Sequence, residues 1–413
     1  MKIFNFLVVA LVAMVGLNSC SKDCDHEMVE MDYSNDLVGT WTCLDADHAE
    51  ALVFKAGGTF ASYGVSNGEY SEELNATWVL KNNKLTLAAG DYKSNVVLEI
   101  IPGKSMALVD ERGKRNVFEY CANDLADEVV GMWVCNDAKD DNMRIHSFDK
   151  NGTAVFTGWS EQLGEFSILD NANYKVVGDL IFQGFSNDEN SSSKYIVARL
   201  IYTPDATTHG DIMTFKHYLF DGIESAQNWL RVKQSLNLAN KSYDYNNLYL
   251  SNVKGKDQDI NFWGYTMNLA TMDGTGLDKM LKAILFHIEF PNANTISYTY
   301  TMGNNQESFS APIKVEGNKL TVKMSDKVST LKDIVYYAYQ DADDSQMHLY
   351  MHRSAFVNFY TNMQALLLEG TDAQFDITNA EAIDAIYNSI NDVVESINLS
   401  IVMSNRLSRR FNI

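Results

Sequence analysis

The sequence predicts a mainly β protein made of tandem small antiparallel β-barrels, the C-terminal one larger and with inserted α-helices (α+β). Three observations lead to this prediction. Runs of alternating apolar and polar residues are separated by turn residues about every ten positions. One segment recurs further along the chain, and clear helical spacing is confined to the last third. The 413 residues are enough for about two to four domains.

The internal repeat defines the first two units. Residues 37–43 (LVGTWTC) return about ninety positions later as residues 129–135 (VVGMWVC), and residues 54–60 return as 148–154. In the second copy Asn151-Gly152 favours a tight hairpin turn, because both residues accept a positive φ. About eight short strands per copy are enough to close a sheet and remove its edges. We therefore expect domains over residues 37–125 and 128–236.

Each copy begins with a Gly-x-Trp motif, Gly39-Thr40-Trp41 and Gly131-Met132-Trp133. The motif resembles the first-strand signature of lipocalins, which implies lipocalin-like barrels in which Trp41 and Trp133 are structural and plug one end. No clear counterpart is found of the second lipocalin motif or of the late-strand arginine that stacks on the tryptophan in that family; Arg231 is only a weak match for that arginine.

The third domain, residues 241–413, lacks Gly-x-Trp but retains strand patterns. Apolar residues at helical spacing predict helices over residues 277–288 and 356–367. Thr378 and Glu381 form a capping-box pattern for a third helix, and alternation over residues 399–403 predicts a closing strand. The expectation is a larger barrel with helices over one opening.

The N-terminus predicts a lipid anchor. Residues 1–19 have a short positive start and an apolar stretch too short to span a membrane, and they end just before Cys20. This pattern resembles a bacterial lipoprotein signal, which implies lipidation of Cys20; an ordinary secretory signal is the alternative. Residues 20–36 form an acidic tether that resembles the surface-export segment of Bacteroidetes lipoproteins; a bland acidic spacer is the alternative. The expected location is the outer membrane, facing the surface or the periplasm.

Composition and motifs limit the functional classes. The net charge of −21 argues against nucleic acid as a partner, because phosphate backbones need clustered Lys and Arg. No nucleophile elbow, phosphate loop, dinucleotide fingerprint or complete metal motif is present in the sequence. We therefore expect no cofactor, no metal and no enzymatic activity; a glycoside hydrolase with unidentified carboxylates is a distant alternative.

Cysteines and tyrosines supply the remaining candidates. Cys43 on a first strand and Cys121 at the end of a last strand meet in a closed barrel, which suggests a disulfide; two buried thiols are the alternative. Alternating Tyr298 and Tyr300 could line a cavity in the third domain, or pack as ordinary strand residues.

The leading hypothesis is a lipid-anchored binding or scaffold protein of the cell envelope. If it binds a small apolar ligand, the third domain is the expected site; filled barrel interiors are the alternative. The alternative is a carbohydrate- or host-surface-binding protein that uses exposed aromatic residues around Trp159, Trp229 or Trp263.

Overall fold

The computed structural model describes most of the chain from residue 32 to residue 405. The described ranges are 32–45, 48–66, 69–135, 144–160, 165–185, 195–204, 210–218, 224–262, 265–268, 275–302, 304–372 and 374–405. Cys20, the tether up to residue 31 and Trp263 lie outside these ranges, as does the side chain of Trp159. Within them, no helix is long and apolar enough to cross a membrane.

The fold consists of three closed antiparallel barrels of eight strands each, which confirms the predicted fold class. Barrel 1 follows helix α1 (Ser34–Leu37) and is a simple meander in which each strand pairs with the next and β8 closes on β1. Its strands are β1 (Gly39–Leu44), β2 (Ala49–Lys55), β3 (Thr59–Ser66), β4 (Glu69–Lys81), β5 (Lys84–Ala89), β6 (Tyr92–Ile101), β7 (Ser105–Val109) and β8 (Arg115–Cys121).

Barrel 2 has the same meander topology and closes by pairing β16 with β9. Its strands are β9 (Gly131–Cys135), β10 (Arg144–Phe148), β11 (Thr153–Ser160), β12 (Glu165–Val177), β13 (Leu180–Phe185), β14 (Tyr195–Thr203), β15 (Ile212–Tyr218) and β16 (Glu224–Val232). The two copies of the sequence repeat therefore fold into two barrels with equivalent strands.

Barrel 3 is interrupted twice. The hairpin β18–β19 (Asp259–Phe262 and Tyr265–Asn268) and helix α2 (Thr275–Ala283) lie between its first two strands, and α3 (Arg353–Thr371) and α4 (Ala380–Asn391) precede its last strand. The barrel strands are β17 (Lys241–Gly255), β20 (His287–Asn292), β21 (Thr295–Met302), β22 (Asn305–Glu316), β23 (Lys319–Val322), β24 (Ile334–Gln340), β25 (Gln346–His352) and β26 (Val394–Asn405), with a 3-10 turn at Met324–Asp326. Apolar side chains of all three helices share one core with the barrel.

The helix and strand predictions for the third domain differ from the structure in two details. The helix predicted over residues 277–288 ends at Ala283, and Ile288 lies in β20. The second difference is a helix cap. The N-cap of α4 is Asn379, whose side chain accepts hydrogen bonds from the backbone N–H groups of Glu381 and Ala382. Thr378 lies one residue earlier and donates its hydroxyl proton to Asp376. The predicted capping box was thus wrong by one residue, because Asn is as good an N-cap as Thr. The closing strand is present as β26, which pairs with both β25 and β17.

Barrels 1 and 2 pack against each other through their outer faces. Ala51 of β2 lies in a small core with Val177, Leu180 and Phe182 of barrel 2. At its edge the ring of Tyr70 stacks on that of Tyr195 at a centroid distance of 5.2 Å. Ion pairs join Lys175 to Glu72 at 2.7 Å and Arg199 to Glu119 across the same junction.

Barrels 2 and 3 are joined by a second apolar cluster and by a charged network. Val134 and Ile145 pack with Tyr337, Tyr339 and Tyr350 of barrel 3. Val232, at the end of barrel 2, forms an isolated β-bridge with Asp341. In the same loop of barrel 3, the carboxylate of Asp344 lies 2.6 Å from the ammonium of Lys233 and 3.1 Å from that of Lys241.

Candidate functional site

A buried tryptophan lies near the start of the first strand in each of the first two barrels. The indole N–H of Trp41 donates to the carbonyl of Leu37 at 2.9 Å, and that of Trp133 donates to the carbonyl of Val129 at 2.7 Å. Both side chains are fully buried. An indole has one donor and needs one acceptor when it is buried. The residue four positions before each tryptophan supplies it, in the same way in both copies.

The last strand of each barrel places a side chain against the tryptophan, and this side chain differs between the two barrels. In barrel 2, Arg231 is paired with Trp133 in the ladder, and its guanidinium carbon lies 4.6 Å from the centre of the indole ring. The guanidinium also donates to the carbonyls of Val130 and Glu128. In barrel 1 the same ladder position holds Tyr120, whose ring meets that of Trp41 edge-on at 5.1 Å. Arg231 therefore stacks on the tryptophan of barrel 2, whereas a tyrosine takes this place in barrel 1.

The glycine of each motif has a backbone conformation that L side chains rarely adopt, with φ +144° at Gly39 and φ +137° at Gly131. A Cβ atom at Gly39 would also lie 2.7 Å from Cε2 of Tyr120, which is too close. A Cβ atom at Gly131 would lie 3.6 Å from the guanidinium of Arg231, which is an ordinary contact. The glycine is thus explained by the positive φ in both copies, and in barrel 1 also by the close approach of Tyr120.

Barrel 1 contains a cavity of about 110 Å³ at the end away from Trp41. Its floor is apolar, and its upper wall consists of small and polar side chains next to the connections between strands. The lining includes Leu52, Phe60, Leu108 and Phe118 in the floor and His48, Glu50, Ser62, Gly64, Ser71, Glu73, Ala89, Ser94 and Asn116 above them. A cavity of about 150 Å³ in another protein is known to hold benzene. The space in barrel 1 therefore suits a small molecule or part of one.

A polar group on two neighbouring strands lies in the wall of this cavity. The carboxylate of Glu50 accepts a hydrogen bond from the hydroxyl of Ser62 on one oxygen, at 3.1 Å. Its other oxygen lies 3.1 Å from Nε2 of His48. The side chains of His48 and Glu50 are about one quarter exposed. The hydrogen bond to Glu50 raises the pKa of His48, and it outweighs the partial burial that lowers it.

The three polar side chains do not form a nucleophile arrangement. In a catalytic triad the imidazole lies between the hydroxyl and the carboxylate, so that it can take the hydroxyl proton. Here the carboxylate of Glu50 lies between the other two, and Ser62 donates to Glu50. The arrangement is one of a carboxylate held by two donors, which suits binding.

The corresponding space in barrel 2 is filled by rings. The ladder registers place His146, Phe156 and Trp229 at the positions that Leu52, Ser62 and Phe118 occupy in barrel 1. The imidazole of His146 stacks on the indole of Trp229 at 3.8 Å and meets the ring of Phe156 at 4.4 Å. Burial and the charge of Arg144 lower the pKa of His146 to about 3. The two copies thus share a backbone plan, and barrel 1 has the smaller side chain at two of these three positions, Ser62 and Phe118.

The interior of barrel 3 is packed where a ligand was expected. The hydroxyl groups of Tyr298 and Tyr336 are 3.1 Å apart, and the ring of Tyr298 stacks on that of Phe286 at 5.9 Å. Tyr300 is also buried in the same core. The neighbours of Tyr298 and Tyr300 are therefore side chains of the barrel and its helices, and the cavity described above lies in barrel 1.

The predicted disulfide between Cys43 and Cys121 is wrong, because both thiols are free. Cys121 is paired in the ladder with Thr40, three residues from Cys43. Cys43 packs on the interior core of barrel 1, whereas Sγ of Cys121 is on the outer face, where it would contact a Cβ at Gly178 of barrel 2. Side chains that point to opposite faces of a sheet cannot approach to disulfide distance.

Of the other predicted site residues, one tryptophan lies inside a barrel and the rest lie wholly or partly outside the described ranges. Trp229 was expected in an exposed aromatic surface and is instead buried, because it fills barrel 2. Trp159 lies in β11, but its side chain is outside the described part, and Trp263 and Cys20 lie outside it altogether. No three His, Cys, Asp or Glu side chains of the described ranges are grouped in a way that could hold a metal ion.

Two solved structures have a weak similarity to this chain. No family model matches the chain, and no curated protein matches it. A crystal structure of a protein with unknown function from the DUF3598 family, from Nostoc punctiforme, is 10% identical, with a TM-score of 0.15, and the match covers 48% of this chain and 97% of that one. The isotype 1 transferrin binding protein B of serogroup B Neisseria meningitidis is 9% identical, with a TM-score of 0.20, over 87% of this chain and 66% of that one. Neither likeness supports an inference about what this chain binds.

The polar residues of the cavity were missed by the sequence reasoning. His48, Glu50 and Ser62 belong to no motif, and they come together only because β2 and β3 are paired. A signal was nevertheless present in the repeat. Aligning the two copies places Ser62 against Phe156, a local loss of volume in the first copy, although Phe60 stands against Ala154 two residues earlier.

Proposed function

We propose that the chain is a lipid-anchored binding protein of the cell envelope whose first barrel takes up a small molecule. Barrels 2 and 3 then act as a scaffold that holds barrel 1. The observation that carries this proposal is the cavity of about 110 Å³ in barrel 1, set against the packed rings of barrel 2 at the same level. Ligand sites in proteins are concave and mostly apolar, with a few placed polar groups. The floor of the cavity and the carboxylate of Glu50 fit that description.

The location of the protein is part of the same proposal. The apolar stretch before Cys20 supports cleavage after residue 19 and lipidation of the cysteine. The acidic tether of residues 20–36 supports an outer-membrane position in which the barrels face the surface. A Cys20→Ala variant should lose its partition into membranes, and continued membrane partition would contradict the anchor.

The variant Ser62→Phe tests the binding proposal, because it places in the cavity of barrel 1 the side chain that Phe156 has at the equivalent position of barrel 2. Benzyl alcohol is a suitable neutral probe, because its ring is close in size to the cavity. We expect its binding to the full chain, followed by nuclear magnetic resonance titration, to weaken at least tenfold in Ser62→Phe. Val79→Phe adds the same ring on the outer face of barrel 1, where Val79 is 64% exposed, and should leave binding unchanged.

Two outcomes would contradict the proposal. One is an absence of saturable benzyl alcohol binding to the unmodified protein. The other is equal binding to Ser62→Phe and Val79→Phe, because the probe would then bind elsewhere. If Ser62→Phe impairs folding through overpacking, Gly64→Ala serves as a milder variant. A Cβ at Gly64 would make only ordinary contacts, the nearest at 3.5 Å, and would reduce the space beside Glu50.

A further inference from the structure

We infer that the ligand of barrel 1 carries a protonated amine, which donates hydrogen bonds to the carboxylate of Glu50 while its apolar part lies on the floor of the cavity. This inference rests on the proposed function, because it names the chemical class of molecule that the same cavity takes. It follows from the charges in the wall, the free acceptor capacity of Glu50 and the contrast with barrel 2.

The charged side chains in the wall are predominantly acidic. Glu50, Glu72 and Glu73 line the cavity, whereas His48 is its only basic side chain among the described residues, and neither Lys nor Arg contributes to the lining. Glu72 is neutralised by Lys175 of barrel 2 at 2.7 Å. Glu73, the residue paired with Ser62 across β3 and β4, has no ion-pair partner in the described part of the chain. A cationic group is therefore favoured in this space, and an anionic one is disfavoured.

Glu50 has the capacity to accept further hydrogen bonds. A carboxylate offers about four acceptor sites. Ser62 occupies one site on the first oxygen, and His48 faces the second oxygen. An ammonium group has three donors, and hydrogen bonds between an ammonium and a carboxylate are stronger than neutral ones. The remaining sites of Glu50 match this donor set, with the hydroxyl of Ser62 holding the carboxylate in position.

The same position in barrel 2 has the opposite charge. Glu50 is the ladder partner of Cys43, and Arg144 is the ladder partner of Cys135, which is the equivalent residue of the second copy. Barrel 2, in which rings fill the corresponding space, thus has a cation where barrel 1 has a carboxylate. Of the two copies, only barrel 1 therefore presents a carboxylate at this position, and this carboxylate lies in the wall of the cavity.

His48 acts as an internal counter-ion that the ligand must replace. The groups that face its ring are Asp45 and Glu50, which favour its charged form, and Lys114, which opposes it. When His48 is protonated, Glu50 is already neutralised and an amine gains less by approaching it. The affinity for an amine should therefore rise as the pH increases through the titration of His48, provided that the amine itself stays protonated.

The experiment compares three probes of one shape and different charge: benzylamine, benzyl alcohol and benzoate. We expect the full chain to bind benzylamine at least tenfold more tightly than benzyl alcohol, and benzoate more weakly than either. In Glu50→Gln the affinity for benzylamine should fall at least tenfold, whereas that for benzyl alcohol should change less than twofold. Retained benzyl alcohol binding also shows that the variant is folded.

The matched control is Glu99→Gln, which removes an exposed carboxylate from the outer face of barrel 1, where it pairs with Arg115. It should leave all three affinities unchanged. The inference is overturned if benzylamine and benzyl alcohol bind equally well, or if Glu50→Gln and Glu99→Gln have the same effect. In either case, the proposed function still stands if benzyl alcohol binds to the unmodified protein and not to Ser62→Phe. If benzyl alcohol binds equally well to both proteins, the inference and the proposed function are both overturned.

Discussion

Tyr120 and Arg231 occupy the same ladder position in two consecutive barrels, each directly opposite the buried tryptophan of the first strand. The tyrosine meets Trp41 edge-on, and the guanidinium lies over the face of Trp133. One backbone plan therefore supports two ways to cover an indole, one by an aromatic edge and the other by a cation that also binds backbone carbonyls.

Removal of Arg231 should destabilise barrel 2. Arg231→Ala loses the cation–π contact with Trp133 and the hydrogen bonds to Val130 and Glu128, which together should lower the free energy of unfolding by about 2–3 kcal/mol. Urea unfolding followed by tryptophan fluorescence measures this loss. Arg115→Ala, which removes a guanidinium that is 55% exposed, should cost less than about 1 kcal/mol. Equal losses in the two variants would contradict a special role of Arg231.

His146 should make the stability of barrel 2 depend on pH. The folded protein holds this imidazole neutral down to a pKa of about 3, whereas in the unfolded chain it takes up a proton near its ordinary value of 6.5. The unfolded state therefore binds more protons between these values, and stability falls as the pH decreases from about 6.5 to 3.

His146→Phe keeps a ring against Trp229 and removes this titration. The difference in unfolding free energy between the variant and the unmodified protein should shift in favour of the variant by up to about 4 kcal/mol as the pH is lowered from 7 to 3. Chemical denaturation at a series of pH values measures it. Parallel stability curves for the two proteins would show that His146 titrates normally.

Cys43 and Cys121 should remain unlinked thiols. Burial is the main cause that raises the pKa of Cys43 to about 12 and that of Cys121 to about 11, so neither is a reactive thiolate at neutral pH. Without reductant, both should be alkylated in urea and only slowly in the folded protein. A peptide map that contains the two cysteines in one cross-linked fragment would contradict the ladder geometry.

Asp344 should hold the junction between barrels 2 and 3. Burial raises the pKa of its carboxyl group, but the hydrogen bonds from Lys233 and Lys241 outweigh this effect and lower the pKa below its ordinary value of 3.8. Its contribution to stability is therefore present above that value and is lost as the pH falls through the lower folded-state pKa.

Asp344→Asn removes the carboxylate that pairs with the two partly buried lysines, Lys233 and Lys241. We expect a loss of about 1–2 kcal/mol at pH 7, measured by urea unfolding, and faster hydrogen exchange in the loop that contains Asp341. Glu316→Gln breaks an exposed pair with Lys314 elsewhere in barrel 3 and should have little effect. Equal unfolding free energies for Asp344→Asn and Glu316→Gln would refute the role of Asp344 in the junction.

The strands and the closure of the barrels were predictable from the sequence because they depend on local patterns. Alternation with turn residues defines a strand, and the recurrence of residues 37–43 as 129–135 identifies two copies of one unit. The buried positions of Trp41 and Trp133 follow from the same repeat. The disulfide prediction was wrong because it rested on the pairing of the two strands alone. The two cysteines point to opposite faces of the sheet, which the strand order does not show.

The sequence by itself determined the fold class, the repeated barrels and the helices of the third barrel, because period and turn chemistry act over a few neighbouring residues. Only the tertiary structure decided where space remains. A cavity is the small volume left when side chains from all eight strands meet, so it depends on residues far apart in the chain. Closure of barrel 1 brings Glu50, His48 and Ser62 into the wall of such a space, whereas closure of barrel 2 fills it with Phe156, His146 and Trp229.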